Sequence, residues 1–428
     1  MSNDTPTIIR RPLANPRLWA FPIVVVIIVA GFLSAMYLGG TINSSTSLKA
    51  VVNQDVPAAT GAGELDAGKQ IADKLVSGID STKFAVSRLT LAEAESRMGK
   101  GTLYGAIVIP STLSSRLIGL AGSTVDATAA ATPTITVLTN PRAGTATPGI
   151  VTTLATTALA KVNSAVGTEL VSSTRAQLTA AGHATAMTGA ATTLLESPIT
   201  ITITPYHALP EGTGGGLSAF YYALLLVLAG FTGSMIVSTL VDGSLGFVPS
   251  EFGPVYAVAR HSGLSRRATL AVKWAIMAVL ALLVAGLYLG VSAALGMPIG
   301  HPLLLWIFSA TAILAVALVA QTIIAIFGSI GLIVNLFVFV IFSLPSAGGT
   351  IPLEATPPLF RWLGSFEPMH QIYLGARSIL YFDGSFDSGL GRALLFCGAA
   401  AVLGVVIGLV STTIYDRRNL ARVMSIVR

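Results

Sequence analysis

Four stretches of this chain contain no formally charged residue: 18–38, 217–241, 274–345 and 393–415. A helix needs about 20 apolar residues to cross roughly 30 Å of hydrocarbon. The stretches of 21, 25 and 23 residues therefore have room for one span each, and the stretch of 72 has room for three. Proline and glycine interrupt the long stretch at Met297–Pro302 and at Gly328-Ser-Ile-Gly331, and such breaks divide helices. The pattern predicts a polytopic α-helical membrane protein with transmembrane helices at 18–38, 217–241, 274–296, 303–327, 329–345 and 393–415, arranged as one plus five. Composition agrees: 53% of residues are hydrophobic and 10% are charged, whereas about a quarter of a soluble domain is charged.

The remaining segments hold all the charge and set the expected orientation. Residues 1–17 carry 3 basic and 1 acidic side chains, 242–273 carry 4 and 2, and 416–428 carry 4 and 1. The 39–216 segment balances at 11 and 11, and 346–392 is slightly acidic at 3 and 4. Lys and Arg accumulate in short cytoplasmic loops, so both termini are expected inside, with 39–216 outside a bacterial plasma membrane. The net charge of +6 then reflects orientation, and no nucleic-acid partner is implied. The first apolar run exceeds the 7–15 residues of a signal-peptide core and no A-x-A-like site follows it, so a retained anchor is expected. The lone cysteine, Cys397, falls in the sixth span, which leaves 39–216 without a disulfide.

Within 39–216 the periodicities alternate. Strands are predicted at 48–56, in FAVSRL, at 103–110, in TITVLTN and at 199–206. Helices are predicted at 65–79, in TLAEAESRM behind a Thr90/Glu93 capping box, from Ser111, and from about 148 to 180. Such alternation favours a mixed α/β sheet layered with helices. The Ala/Thr/Ser-rich tract 121–133 reads as a loop, and the three glycines 214–216 as a flexible joint to the second span.

Catalytic and metal patterns have little support. The stretch 63-GELDAGKQ-70 has the G-x4-G-K frame of a phosphate loop but ends in Gln70 where Ser or Thr would hold magnesium, so a glycine-led helix entry is the expectation. The histidines at 183, 207, 261, 301 and 370 lack metal spacing, and no hydrolase signature occurs. No charged side chain falls within the six spans, so a proton relay is not expected. Gln321 and Asn335 are polar groups at depth, either lining a path or bonding a neighbouring helix. The cytoplasmic stretch 241–274 sets Phe247, Phe252, Val255, Tyr256 and Val258 beside basic residues, the pattern of a short interfacial amphipathic helix or a docking segment.

Three pieces carry a family resemblance: the first span followed by AVVNQDV (50–56), LYGAIVIPSTLSSRL (103–117), and SLPSAGGTIPLEATPPLFRWLGSFEPMHQIYLGARSIL (343–380). Together they resemble the ABC-2 type transporter permease superfamily and, within it, the YhgE/Pip-like branch, over nearly the whole chain. The resemblance implies an extracytoplasmic α/β domain at 39–216, a membrane domain at 217–415 with a re-entrant outer hairpin at 346–392, an N-terminal interfacial segment at 1–17 and a basic tail at 416–428. Pro345, Gly348, Gly349, Pro352, Phe360, Trp362 and Pro368 would then belong to an outer lid. Phe252, Tyr256, Arg260, Arg266 and Arg267 would belong to a region that couples to a separately encoded ABC ATPase. The chain would bind no cofactor itself, ATP acting through that partner, and would pair as a homodimer or with a related permease. The implied function is export of an amphipathic, lipid-like or drug-like solute. The same branch also implies an alternative, a surface-exposed secretion accessory, envelope scaffold or phage receptor without an ATPase.

Overall fold

The computed structural model describes residues 23–32, 34–36, 47–60, 63–78, 84–126, 131–180, 189–418 and 420. The expected interfacial segment 1–17 and residues 421–428 of the tail lie outside the described residues.

After a short apolar helix, α1 (Ile23–Met36), the chain builds a five-stranded sheet. Strand β1 (Ser47–Asn53) pairs parallel with β4 (Phe84–Arg88) on one side and β5 (Gly105–Ile109) on the other. Strand β6 (Thr134–Thr139) runs antiparallel to β5, and β7 (Thr200–Pro205) parallel to β6, giving the order β4-β1-β5-β6-β7. A small hairpin, β2 (Ala58–Thr60) and β3 (Gly63–Leu65), follows β1. The side-chain period of two divides the strands between two cores. Val51, Ile107, Ile109, Ile135 and Val137 face α2 (Ala67–Gly78), α4 (Leu113–Asp126) and α5 (Thr147–Ala180). Val52, Ala106 and Val108 face α3 (Leu91–Gly99) on the other side. The expected capping box opens α3: the Glu93 N–H donates to Thr90 Oγ1 at 3.3 Å, and the Glu93 carboxylate accepts the Thr90 N–H at 3.0 Å. Helix α6 (Gly189–Glu196) packs on α5, and Asn163 ties α5 to the start of β7 by exchanging two 3.0 Å bonds with the Ile199 backbone.

The apolar half is a helix bundle. Helices α7 (Leu217–Ser244), α8 (Arg266–Ala294), α9 (Pro302–Phe327) and α13 (Leu390–Arg417) are long and apolar enough to cross a membrane. At 1.5 Å per residue even the shortest, α9, spans about 39 Å. Helix α9 lies at the centre, packed by α7, α8, α10 (Ile330–Leu336), α12 (Pro368–Tyr381) and α13. Its apolar side chains, including Leu305, Phe308, Ile313 and Val316, form the middle of the largest core. Small residues let the helices close: Gly404 meets the backbone at Leu318 and Val319, and its carbonyl accepts the Thr322 hydroxyl at 2.9 Å. Gly286 lies beside Trp306, while a Cβ added to Gly290 would meet nothing within 4 Å among the described residues.

Several expectations change. The predicted span 329–345 is helical only over Ile330–Ile341, its last turn a π-helix from Phe337 to Ile341, because Ser343, Pro345 and Gly348 terminate it. This length falls short of the four long helices. The predicted span 18–38 is described only within Ile23–Met36, and its two ends lie outside the described residues. The pair meets through a Phe32–Phe337 edge contact at 5.4 Å. The presumed loop 121–133 is helical up to Asp126; residues 127–130 of it lie outside the described set. Gly214–Gly216, read as a joint, lead directly into α7. They form one 3-10 turn with φ of 58°, 64° and 97°, left-handed values that favour glycine, and Gly216 is buried. No amphipathic helix forms in 245–265: β8 (Ser250–Phe252) and β9 (Val255–Ala257) pair across Gly253-Pro254, since Pro249, Gly253, Pro254 and Gly263 break helical periodicity.

Candidate functional site

The segment after α10 turns back into the bundle. Helix α11 (Pro358–Gly364) and α12 form a helical hairpin, and α12 wedges among α7, α9 and α13. A Cβ added to Gly375 would run into Phe308 and Ala393. Phe308 is six residues into α9, so α12 sits roughly 9 Å below the start of that helix. The expected lid residues separate. Gly348 (φ 72°) rests against His370 and Leu353, and Gly349 abuts Phe220 so closely that any larger residue would displace the ring. Phe360 is buried with Met36 and Ile341, whereas Trp362 is exposed and meets Phe366 edge-on at 4.8 Å. Pro345 is half-buried in the turn, Pro352 is buried near Gly144, and Pro368 opens α12.

Glu367, unremarked as a site residue in the sequence, is the N-cap of α12 and is buried. Its carboxylate accepts the Met369 N–H at 2.8 Å, the His370 N–H at 3.2 Å and the Ser343 hydroxyl. Three donors thus converge on one buried carboxyl. Beside it, His370 Nδ1 lies 2.8 Å from the Ala347 carbonyl. An acidic residue directly before a proline at a helix start is the sequence signal that marks Glu367.

The α/β unit grips this hairpin. Arg377 on α12 donates to the Ala143 carbonyl at 2.8 Å and stacks over Phe382 and Tyr373 at 5.4 and 5.7 Å. The Tyr104 hydroxyl, just before β5, donates to Glu354 at 2.5 Å, and burial raises its pKa well above the usual phenol value. Arg142 donates to the Tyr381 carbonyl at 3.1 Å, and the Ala146 N–H to the Thr350 carbonyl at 3.3 Å. These partners are more than 200 positions apart in sequence, which is why no local pattern exposes them.

At the opposite end of the bundle the first charges beyond the apolar stretches meet. Asp242, closing α7, pairs with Lys273 on α8 at 2.9 Å. Asp416 on α13 caps α8, accepting the Arg266 N–H at 2.9 Å and the Arg267 N–H at 3.2 Å. The Arg266 guanidinium donates to the Leu420 carbonyl and lies over the Tyr415 ring. Of the expected coupling residues, Arg266 and Arg267 thus begin α8, whereas Tyr256 and Arg260 are exposed on and after the β8–β9 hairpin and Phe252 stands at its turn. Gln321 and Asn335 are fully buried, and each donates to a neighbouring helix: Gln321 to the Lys273 carbonyl at 3.5 Å and Asn335 to the Ala320 carbonyl at 3.0 Å. Both act between helices.

The G-x4-G-K stretch is filled from within. The Asp55 carboxylate accepts the Gly68 N–H at 2.8 Å and the Ser114 N–H and hydroxyl at 3.0 and 2.5 Å. An anion of the protein's own thus occupies the start of α2, where a phosphate loop would hold its ligand. Among the described residues no cluster of three or more His, Cys, Asp or Glu side chains could hold a metal ion.

A family model described as a protein of unknown function, DUF3533, matches residues 21–398. No curated protein and no solved structure matches the chain.

Proposed function

We propose, from the premise that this chain belongs to the DUF3533 family, that it is the membrane-spanning subunit of an ABC-type exporter for an amphipathic, lipid-like or drug-like solute, driven by a separate ATPase. One observation carries the reading: a proline- and glycine-broken helical hairpin, α11–α12, is wedged into one end of an apolar bundle and held by the α/β unit. Non-helical backbone is tolerated at membrane depth only where protein or water covers it, and here α7, α9, α13 and the α/β unit supply that cover. In this reading the hairpin is the outer lid, the α/β unit is outside the plasma membrane, and both termini are cytoplasmic with α1 and α10 completing six spans. The centre of one copy is filled by α9, so the solute passes along a face shared with a second permease chain. The exposed β8–β9 hairpin, with Tyr256 and Arg260, is the surface offered to the ATPase.

Purification from native membranes tests this. The proposal expects a nucleotide-hydrolysing subunit to co-purify and to be lost when Tyr256 and Arg260 are replaced by alanine and glutamate. Purification without any such partner, together with unchanged efflux and lipid content in a deletion strain, contradicts it. The α/β unit has two apolar cores of its own, separate from that of the bundle, which favours a second reading, a surface scaffold or receptor. That reading predicts that partner binding persists when the hairpin is altered by Gly349→Leu.

A further inference from the structure

The carboxyl ends of β1, β4 and β5 point away from the bundle, because Tyr104, at the amino end of β5, faces the hairpin. At that distal edge the connection from β1 leaves through α2 to one face of the sheet, and the connection from β4 leaves through α3 to the other. Adjacent parallel strands whose connections diverge in this way leave a crevice beyond their carboxyl ends, the usual ligand position in open α/β sheets. A cleft of about 310 Å³ lies there, within the range of small-molecule sites, about 300–1,000 Å³. Val51, Ala72 and Leu89 give it an apolar floor, and Lys69, Arg88 and Glu93 give it charges of both signs.

The charged groups are not equivalent. Arg88 is held by Asp73. Among the described residues Lys69 has no ion-pair partner, and its backbone N–H is anchored separately by Asp66 at 2.9 Å. The Glu93 oxygen Oε2 serves the Thr90 cap, which leaves Oε1 for a ligand. Hydrogen bonds from Thr90 hold this exposed carboxyl below its ordinary pKa, so it is anionic at neutral pH.

We propose that this cleft binds a small zwitterion with an apolar side chain, an α-amino acid or short peptide, whose carboxylate meets Lys69 and whose ammonium meets Glu93. The site opens on the face of the α/β unit furthest from the bundle and does not depend on whether the chain moves a solute.

The test is calorimetric titration of the full chain in lipid nanodiscs with leucine, phenylalanine and alanyl-alanine, followed by leucinamide, which lacks the carboxylate, and 4-methylpentanoate, which lacks the ammonium. Saturable binding of at least one zwitterion is expected, with each truncated probe weaker by about tenfold. Lys69→Ala should weaken leucine but not leucinamide. Glu93→Gln, which retains the capping box, should weaken leucine but not 4-methylpentanoate. Lys74→Ala, on the same helix but outside the cleft lining, should change neither. No saturable binding of any zwitterion at millimolar concentration overturns the proposal. So does equal loss for all probes in the two cleft variants.

Discussion

Lys273 and Asp242 lie 2.9 Å apart with side chains 4% and 15% exposed, and each is the first charge beyond an apolar stretch, 274–345 and 217–241 respectively. The pair therefore joins α7 to α8 where both helices leave the apolar region. Removing one member of a buried pair costs about 3–5 kcal/mol. Lys273→Ala and Asp242→Ala should each lower thermal stability in detergent strongly. The double variant should lose less than the sum of the two, and a strictly additive double variant contradicts the pairing.

The grip between the α/β unit and the hairpin has two main fastenings. Tyr104→Phe deletes the donor to Glu354, and Arg377→Ala deletes the donor to the Ala143 carbonyl. A buried group left without its partner costs about 1–3 kcal/mol. Faster backbone hydrogen exchange is expected at 140–150 and 350–357 in both variants, with exchange in α9 unchanged. Unchanged exchange at both segments means that the grip does not hold them.

Glu367 gathers three donors at the start of α12: the Met369 and His370 N–H groups and the Ser343 hydroxyl. Loss of a helix cap costs about 0.5–2 kcal/mol. Glu367→Ala should lower thermal stability in detergent by that order, and Glu367→Gln, which keeps an acceptor oxygen, should lose less. Equal loss in the two variants means that the carboxylate does not act as the cap.

The apolar helices and the succession of strands were legible because each rests on a local pattern, whereas the order of the strands in the sheet was not. Charge-free runs mark α7, α8, α9 and α13, a continuous apolar run marks β5, and alternation marks β6. What stayed hidden depends on contacts distant in sequence. Nothing near Arg377 announces Ala143, and the G-x4-G-K stretch does not reveal that Asp55 fills its turn. The 241–274 segment misled because aromatic and basic residues at short spacing suit a helix as well as a hairpin, and only the Gly253-Pro254 turn decides between them. The short helix α10 misled for a different reason. Its apolar run continues to Leu344 while the backbone has already left the helical ladder at Ile341, so hydropathy outlasts the structure.

The central claim is that the α/β unit and the β8–β9 hairpin lie on opposite sides of the membrane. Single cysteines at Ala180 and Tyr256, both exposed, against a Cys397→Ser background, can be probed with a membrane-impermeant maleimide on intact cells and again after permeabilisation. Labelling of position 180 in intact cells, with position 256 reacting only after permeabilisation, is the expected result. Equal labelling of both positions in intact cells, or the reverse order, contradicts the account.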